Sequence, residues 1–144
     1  TAATLTAAAR ATATNVATTV SAAAHTSTTD ATTTIDTATE RYLMENRAPS
    51  RKAGELDNRG THVYVAAFWA QALADQTDDA ELAAHFGPLA KTMNTELEHV
   101  IQALNDVQGN AADLGGYFRP DPAKADAIMR PVAMFNELLE AAGV

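Results

Sequence analysis

The chain contains no cysteine, which excludes disulfides, zinc–thiolate sites and a thiol nucleophile and leaves the redox compartment open. Positive charge is scarce: 10 Lys and Arg stand against 18 Asp and Glu, a formal net charge of −8. Neither non-specific nucleic-acid binding nor an anionic membrane surface suits such a balance, since both need a broad basic face. No window approaches the roughly 20 uninterrupted apolar residues that a membrane span requires. No basic segment followed by an apolar core opens the chain, so no secretory signal is readable and the cytoplasm is the default compartment. An initiator Met is also lacking, from which upstream processing or excision is expected. No stretch keeps period-two alternation, which leaves helix as the regular structure. No GxGxxG, Walker-type or GxSxG motif occurs, and "DLGGYF" lacks the strand–Gly–helix context of a phosphate cradle.

The 144 residues fit one helical domain or part-domain. A compact chain of that size buries about 68–70% of its unfolded surface. Residues 1–33 are an Ala/Thr-rich segment. Val16, Val20, Ala23, Ala24, Ser27, Ala31, Ile35, Ala38 and Tyr42 keep a three-to-four spacing, which predicts helices over about Ala2–Ala24 and Asp30–Asn46. A disordered tract is the alternative, because large apolar residues are few there. Asn46–Gly60 reads as a loop, with Pro49, Gly54 and Gly60 as punctuation. The next helix carries Val65, Phe68, Trp69, Ala72 and Leu73 at i, i+3, i+4, i+7 and i+8, predicting one broad buried face. A helix capped by Thr77 or Asp78 follows, with a break at Gly87–Pro88. Beyond the break, Leu89, Met93, Leu97, Val100, Ile101 and Leu104 form a core stripe. A second long loop runs to the prolines at 120 and 122. The last helix, about Ala123–Ala142, is expected to break at Pro131 and to bury Met129, Val132, Phe135, Leu138 and Leu139. The fold class is therefore all-α: five to six helices in an irregular bundle, with long loops at about 47–60 and 109–121.

The four histidines, His25, His62, His85 and His99, form no HxxxH or HExxH arrangement, so a zinc site has little support. Asp75, Asp78, Asp79 and Glu81 read as a solvated face and as acids suited to a helix start. Phe68 and Trp69 continue a helical stripe and read as core rather than as a stacking platform. The concentrated signal is basic. Arg47, Arg51, Lys52 and Arg59 fall within thirteen residues of an acidic chain, just ahead of its most aromatic helix. Ser50, Arg51 and Lys52 on a loop, with Arg59 and Gly60 at a helix start, supply a guanidinium fork, a point charge and backbone N–H groups, the parts a phosphate site uses. The other reading is a lattice of ion pairs with Glu55 and Asp57. Spacing leaves both open.

The segments "PSRK", "LDNRG", "FWAQALA", "VQG", "DLGGYF" and "MRPVAMFN", in this order and spacing, closely resemble the C-terminal end of the monomeric type of NADP-dependent isocitrate dehydrogenase. The resemblance covers about residues 34–144, whereas Thr1 to about Asp30 departs from the family pattern. It implies an enzyme that oxidises isocitrate to 2-oxoglutarate and carbon dioxide with NADP and a divalent metal. The family's metal carboxylates, catalytic Lys and Tyr and isocitrate-binding segment lie upstream of the matched region. The resemblance therefore implies that this chain binds no metal by itself and is inactive alone. It also implies an Arg contact to the cofactor's 2′-phosphate, which matches Arg51 in "PSRK", with Arg59 in "DNRG" in reserve and Lys52 beside them. The partner implied is the rest of a dehydrogenase chain or, for a helical interaction module descended from it, a second copy. Neither nucleic acid nor membrane is expected.

Overall fold

The computed structural model describes residues 28–142, and the helix expected over Ala2–Ala24 lies outside them. The chain divides into two units, Thr1–Thr33 and Thr34–Val144. All regular structure among the described residues is helical: α1 Thr28–Met44, α2 Asn58–Asp75, α3 Ala80–Asp106, α4 Pro122–Met129 and α5 Ala133–Ala141. The loops between α1 and α2 and between α3 and α4 are the two long ones the sequence predicts, each starting about two residues earlier.

The centre of the second unit is the packing of α2 on α3. From α3 come Ala90, Met93, Leu97, Val100, Ile101 and Leu104, all buried, which is the expected stripe with Ala90 in place of Leu89. Each large side chain of this set contributes about 1.5–3 kcal/mol by leaving water. On α2 the buried face is rotated from the expected one. Gly60, Tyr64, Ala67, Phe68 and Leu73 are buried, while Trp69 is 38% exposed. The reason is that α2 is apolar nearly all round, so periodicity alone does not choose its inner side. Trp69 sits at the edge, where its Nε1 donates to Thr34 Oγ1 of α1 at 3.2 Å. Thr34 and Ala38 are buried, small side chains that let α1 lie close. Phe135 of α5 and Val132 just before it complete the core.

The expected break at Gly87–Pro88 does not occur, and α3 runs through it for 27 residues. Pro88 forfeits its own bond to the Ala84 carbonyl and crowds that carbonyl with its ring. Ala84 and Pro88 are both exposed, so the defect lies at the surface of α3 rather than in the core. The helix starts at Asp79 rather than at Thr77 or Asp78. Asp79 accepts from the N–H groups of Glu81 and Leu82, and Gln76 brackets it from both sides. Pro131 does break the last helical segment, separating α4 from α5. The Asn136 side chain donates to the Arg130 carbonyl across the gap. Met129, expected inside, is 56% exposed because it lies at the end of α4, just before the chain turns.

Candidate functional site: the basic loop and its foundation

The loop begins where α1 ends. Asn46 takes a left-handed conformation (φ 51°), and Arg47 N donates back to the Tyr42 carbonyl. These are the marks of a helix C-terminal cap in which Asn replaces the usual Gly. The Arg47 guanidinium lies 4.4 Å from the Tyr64 ring centre and that of Arg41 4.0 Å from Phe68. Glu45 pairs with both arginines, and the Arg41 hydrogen bond foremost holds its carboxyl below the ordinary range. Thr61 Oγ1 donates to the Arg47 carbonyl. Arg47 is thus fixed to α2.

Residues 50–56 then close on themselves. Ser50 N donates to the Leu56 carbonyl at 2.7 Å, Ser50 Oγ donates to Glu55, and Lys52 N donates to Ser50 Oγ. Gly54 makes the turn at φ +83°, a conformation open to glycine and costly for other residues. Lys52 pairs loosely with Glu55 at 3.7 Å. Arg51 is exposed and has no hydrogen-bond or ion-pair partner among the described residues.

Arg59 is placed differently. Its Nε and one terminal nitrogen bond Asp57 Oδ2 at 2.8 and 2.6 Å, and its other donors reach the carbonyls of Leu104 at 3.0 Å and Ile128 at 2.6 Å. Leu104 and Ile128 lie in the last turns of α3 and α4, where carbonyls lack partners within the helix. Asp57 in turn caps α2 through the N–H groups of Arg59 and Gly60. One arginine–aspartate pair therefore joins three helix ends, each with the sign of charge its dipole favours. Burial alone would raise the Asp57 carboxyl, but the Arg59 fork and the two N–H groups outweigh it and hold the group below its ordinary value. The helix-start N–H groups of Arg59 and Gly60 are accordingly occupied by Asp57.

The ion-pair reading therefore holds for part of the cluster. Lys52 and Arg59 are in ion pairs, and Arg51 is left open to solvent. Sequence reasoning missed Gln108, whose side-chain amide bridges Gly54, Glu55 and Asp57. Its only signal is its place in "VQG". Among the described residues no three His, Asp or Glu side chains come together as a metal site, and no helix is long and apolar enough to cross a membrane. His62, His85 and His99 are exposed, and His25 lies outside the described residues. An open depression of about 300 Å³, lined by residues that include Val107, Asp113, Lys124 and Ile128, contains none of Arg51, Lys52 and Arg59.

The fold and the loop define a helical segment in which, among the described residues of the turn at 50–56, the Arg51 guanidinium is without a partner. The chain belongs to the monomeric isocitrate dehydrogenase family, whose model matches residues 8–140. It is 54% identical over 106 residues to the NADP isocitrate dehydrogenase of Corynebacterium glutamicum, covering 74% of this chain and 14% of that protein. It is similarly 51% identical over 105 residues to that of Corynebacterium efficiens, covering 73% and 14%. To NADP isocitrate dehydrogenase 2 of Mycobacterium tuberculosis it is 47% identical over 106 residues, covering 74% and 14%. The chain thus spans about 14% of the length of the relatives it matches.

Proposed function

We propose that this chain forms the NADP side of the cleft in a monomeric-type isocitrate dehydrogenase, with Arg51 meeting the cofactor's 2′-phosphate and Lys52 adding a second positive charge beside it. Arg59 enters as the residue that holds the loop in place. The observation that carries the reading is the unpaired, exposed Arg51 guanidinium, in a loop whose other charged groups are paired. A guanidinium suits a phosphate because its planar fork donates two parallel hydrogen bonds. Oxidation of isocitrate needs a metal to polarise the 2-hydroxyl and the developing enolate, with a general acid and base. In the family those groups belong to segments upstream of the matched region, so this chain contributes cofactor selection rather than catalysis.

One Arg–phosphate contact is worth about 1.5–3 kcal/mol, and exposure places Arg51 near the lower value, a preference for NADP over NAD of about tenfold. Titration of the isotopically labelled chain with NADP and with NAD, followed by amide shifts of residues 50–57, measures it. Arg51→Ala is expected to abolish the preference and to leave the melting temperature unchanged. Equal or absent shifts with the two nucleotides refute the reading. A second reading, a helical module that self-associates, draws support from Tyr117 and Phe118, which stand fully exposed on the second loop. A monodisperse monomer in light scattering would refute it.

A further inference from the structure

We infer that Gln108 is a positioning residue of the basic loop, whose side-chain amide at the end of α3 holds residues 54–57 in the conformation that presents Arg51 to a phosphate. This rests on the assignment of Arg51 to the 2′-phosphate. Gln108 Oε1 accepts from Gly54 N at 2.8 Å, and Nε2 faces the Glu55 carbonyl at 3.0 Å, Asp57 Oδ2 at 3.1 Å and Asn105 Oδ1 at 3.2 Å. One planar amide therefore meets acceptors and a donor on both sides of the turn, reaching residues more than fifty positions away in sequence. Among the described residues, these are the only hydrogen bonds that tie residues 50–56 to an element other than the loop itself. Every other bond within 50–56 is local, and the turn hinges on Gly54 at φ +83°.

The consequence follows from the geometry. Glycine loses the most conformational freedom on ordering, so a turn built on Gly54, although closed by the Ser50–Leu56 and Ser50–Glu55 bonds, is ordered further by a partner outside it that holds the Gly54 N–H. Gln108 does so, and the same amide reaches the Asp57 carboxylate that Arg59 pairs with. Arg51 lies three residues from Gly54, with no partner of its own to orient it. Without Gln108 the loop samples other conformations, and the ordering that Gln108 now supplies would have to be met on phosphate binding, weakening the 2′-phosphate contact alone.

The test uses the whole chain and the same NADP and NAD titrations, with Gln108→Leu, which keeps the bulk and removes the amide. The preference for NADP is expected to fall from about tenfold to about threefold or less, with faster hydrogen exchange at the Gly54 amide. If Gln108→Leu does not fold, Gln108→Glu serves instead, keeping an acceptor for Gly54 while losing the donors and placing a like charge beside Asp57. Retention of the wild-type preference in the folded variant overturns the inference. An equal loss of affinity for both nucleotides also overturns it and assigns Gln108 to stability only. A preference lost in Arg51→Ala but kept in Gln108→Leu overturns this inference alone, whereas equal or absent binding of NADP and NAD by the wild type overturns the Arg51 assignment with it.

Discussion

Replacing Arg59 by methionine keeps the apolar stem and removes the guanidinium that joins three helix ends. Three groups lose the guanidinium together: the carbonyls of Leu104 and Ile128, and the Asp57 carboxylate, which keeps only its bonds from the Arg59 and Gly60 N–H groups and from Gln108. The Arg59 and Asp57 side chains are only 18% and 27% exposed, so water replaces the lost bonds incompletely. An orphaned buried acceptor costs about 1–3 kcal/mol and a bond to a charged group about 1.5–3. Because the three share one donor group they do not add, and a total of about 3–4 kcal/mol is expected, comparable to breaking a buried ion pair from one side. With a urea m-value of about 2 kcal/mol/M for a chain of this size, the unfolding midpoint by circular dichroism should drop by about 1.5–2 M. Arg59→Lys keeps the charge but loses the fork, and should recover less than half of the loss. Asp57 adds a pH signature. Its folded pKa is depressed, so its contribution is fully present above the unfolded value of about 3.9 and is lost as pH falls through the lower folded value. Wild-type stability should therefore decline below about pH 4, and less steeply in Arg59→Met. A change below about 0.5 kcal/mol, the range of an ordinary surface substitution, or a lysine variant as stable as the wild type would refute this account.

Pro88→Ala restores a hydrogen bond inside a continuous helix and should raise stability by about 1–2 kcal/mol, since part of the roughly 3 kcal/mol penalty of interior proline is offset by its stiffening of the unfolded chain; a lower melting temperature would mean that α3 is not continuous through residues 87 and 88. Gly60→Ala places a Cβ 2.5 Å from Leu56 Cδ1 and 3.2 Å from Ile101 Cδ1. Overpacking of about 1–3 kcal/mol should outweigh a helix-propensity gain of up to about 1 kcal/mol, which thermal unfolding of the variant checks by a net loss. Tyr64→Phe removes the hydroxyl that donates to Glu98 at 3.0 Å and should cost about 1 kcal/mol. Burial first and the Glu98 bond next raise the Tyr64 phenol, so the wild type should also lose stability as pH rises past about 10, a limb that a pH series of melts should find smaller in the phenylalanine variant.

The α3 stripe and the two long loops were legible because they rest on strong local signals: large aliphatics at helical spacing, and glycine and proline between them. The helix ends were less so. Pro88 reads as a stop in any window, and only its exposed position explains why the helix passes through it. The inner side of α2 was only partly legible for the opposite reason, since its apolar residues leave little polar contrast: Phe68 and Leu73 are buried as expected, but packing chose Tyr64 and Ala67 over Val65 and Trp69. At the basic loop, composition identified the cluster but could not sort its members. Arg51, Lys52 and Arg59 carry the same charge within nine residues, and the carbonyls that hold Arg59 depend on where α3 and α4 end.

By itself the sequence determined the helical class, the core stripe of α3, the basic loop and the family, because each is written in local spacing or in contiguous motifs. Tertiary structure decided which arginine is spent and which is open. Arg59 meets Leu104 and Ile128 from 45 and 69 positions away, and Gln108 reaches Gly54 across a similar gap. Such partners are set by how helices dock, which nearest-neighbour patterns do not encode.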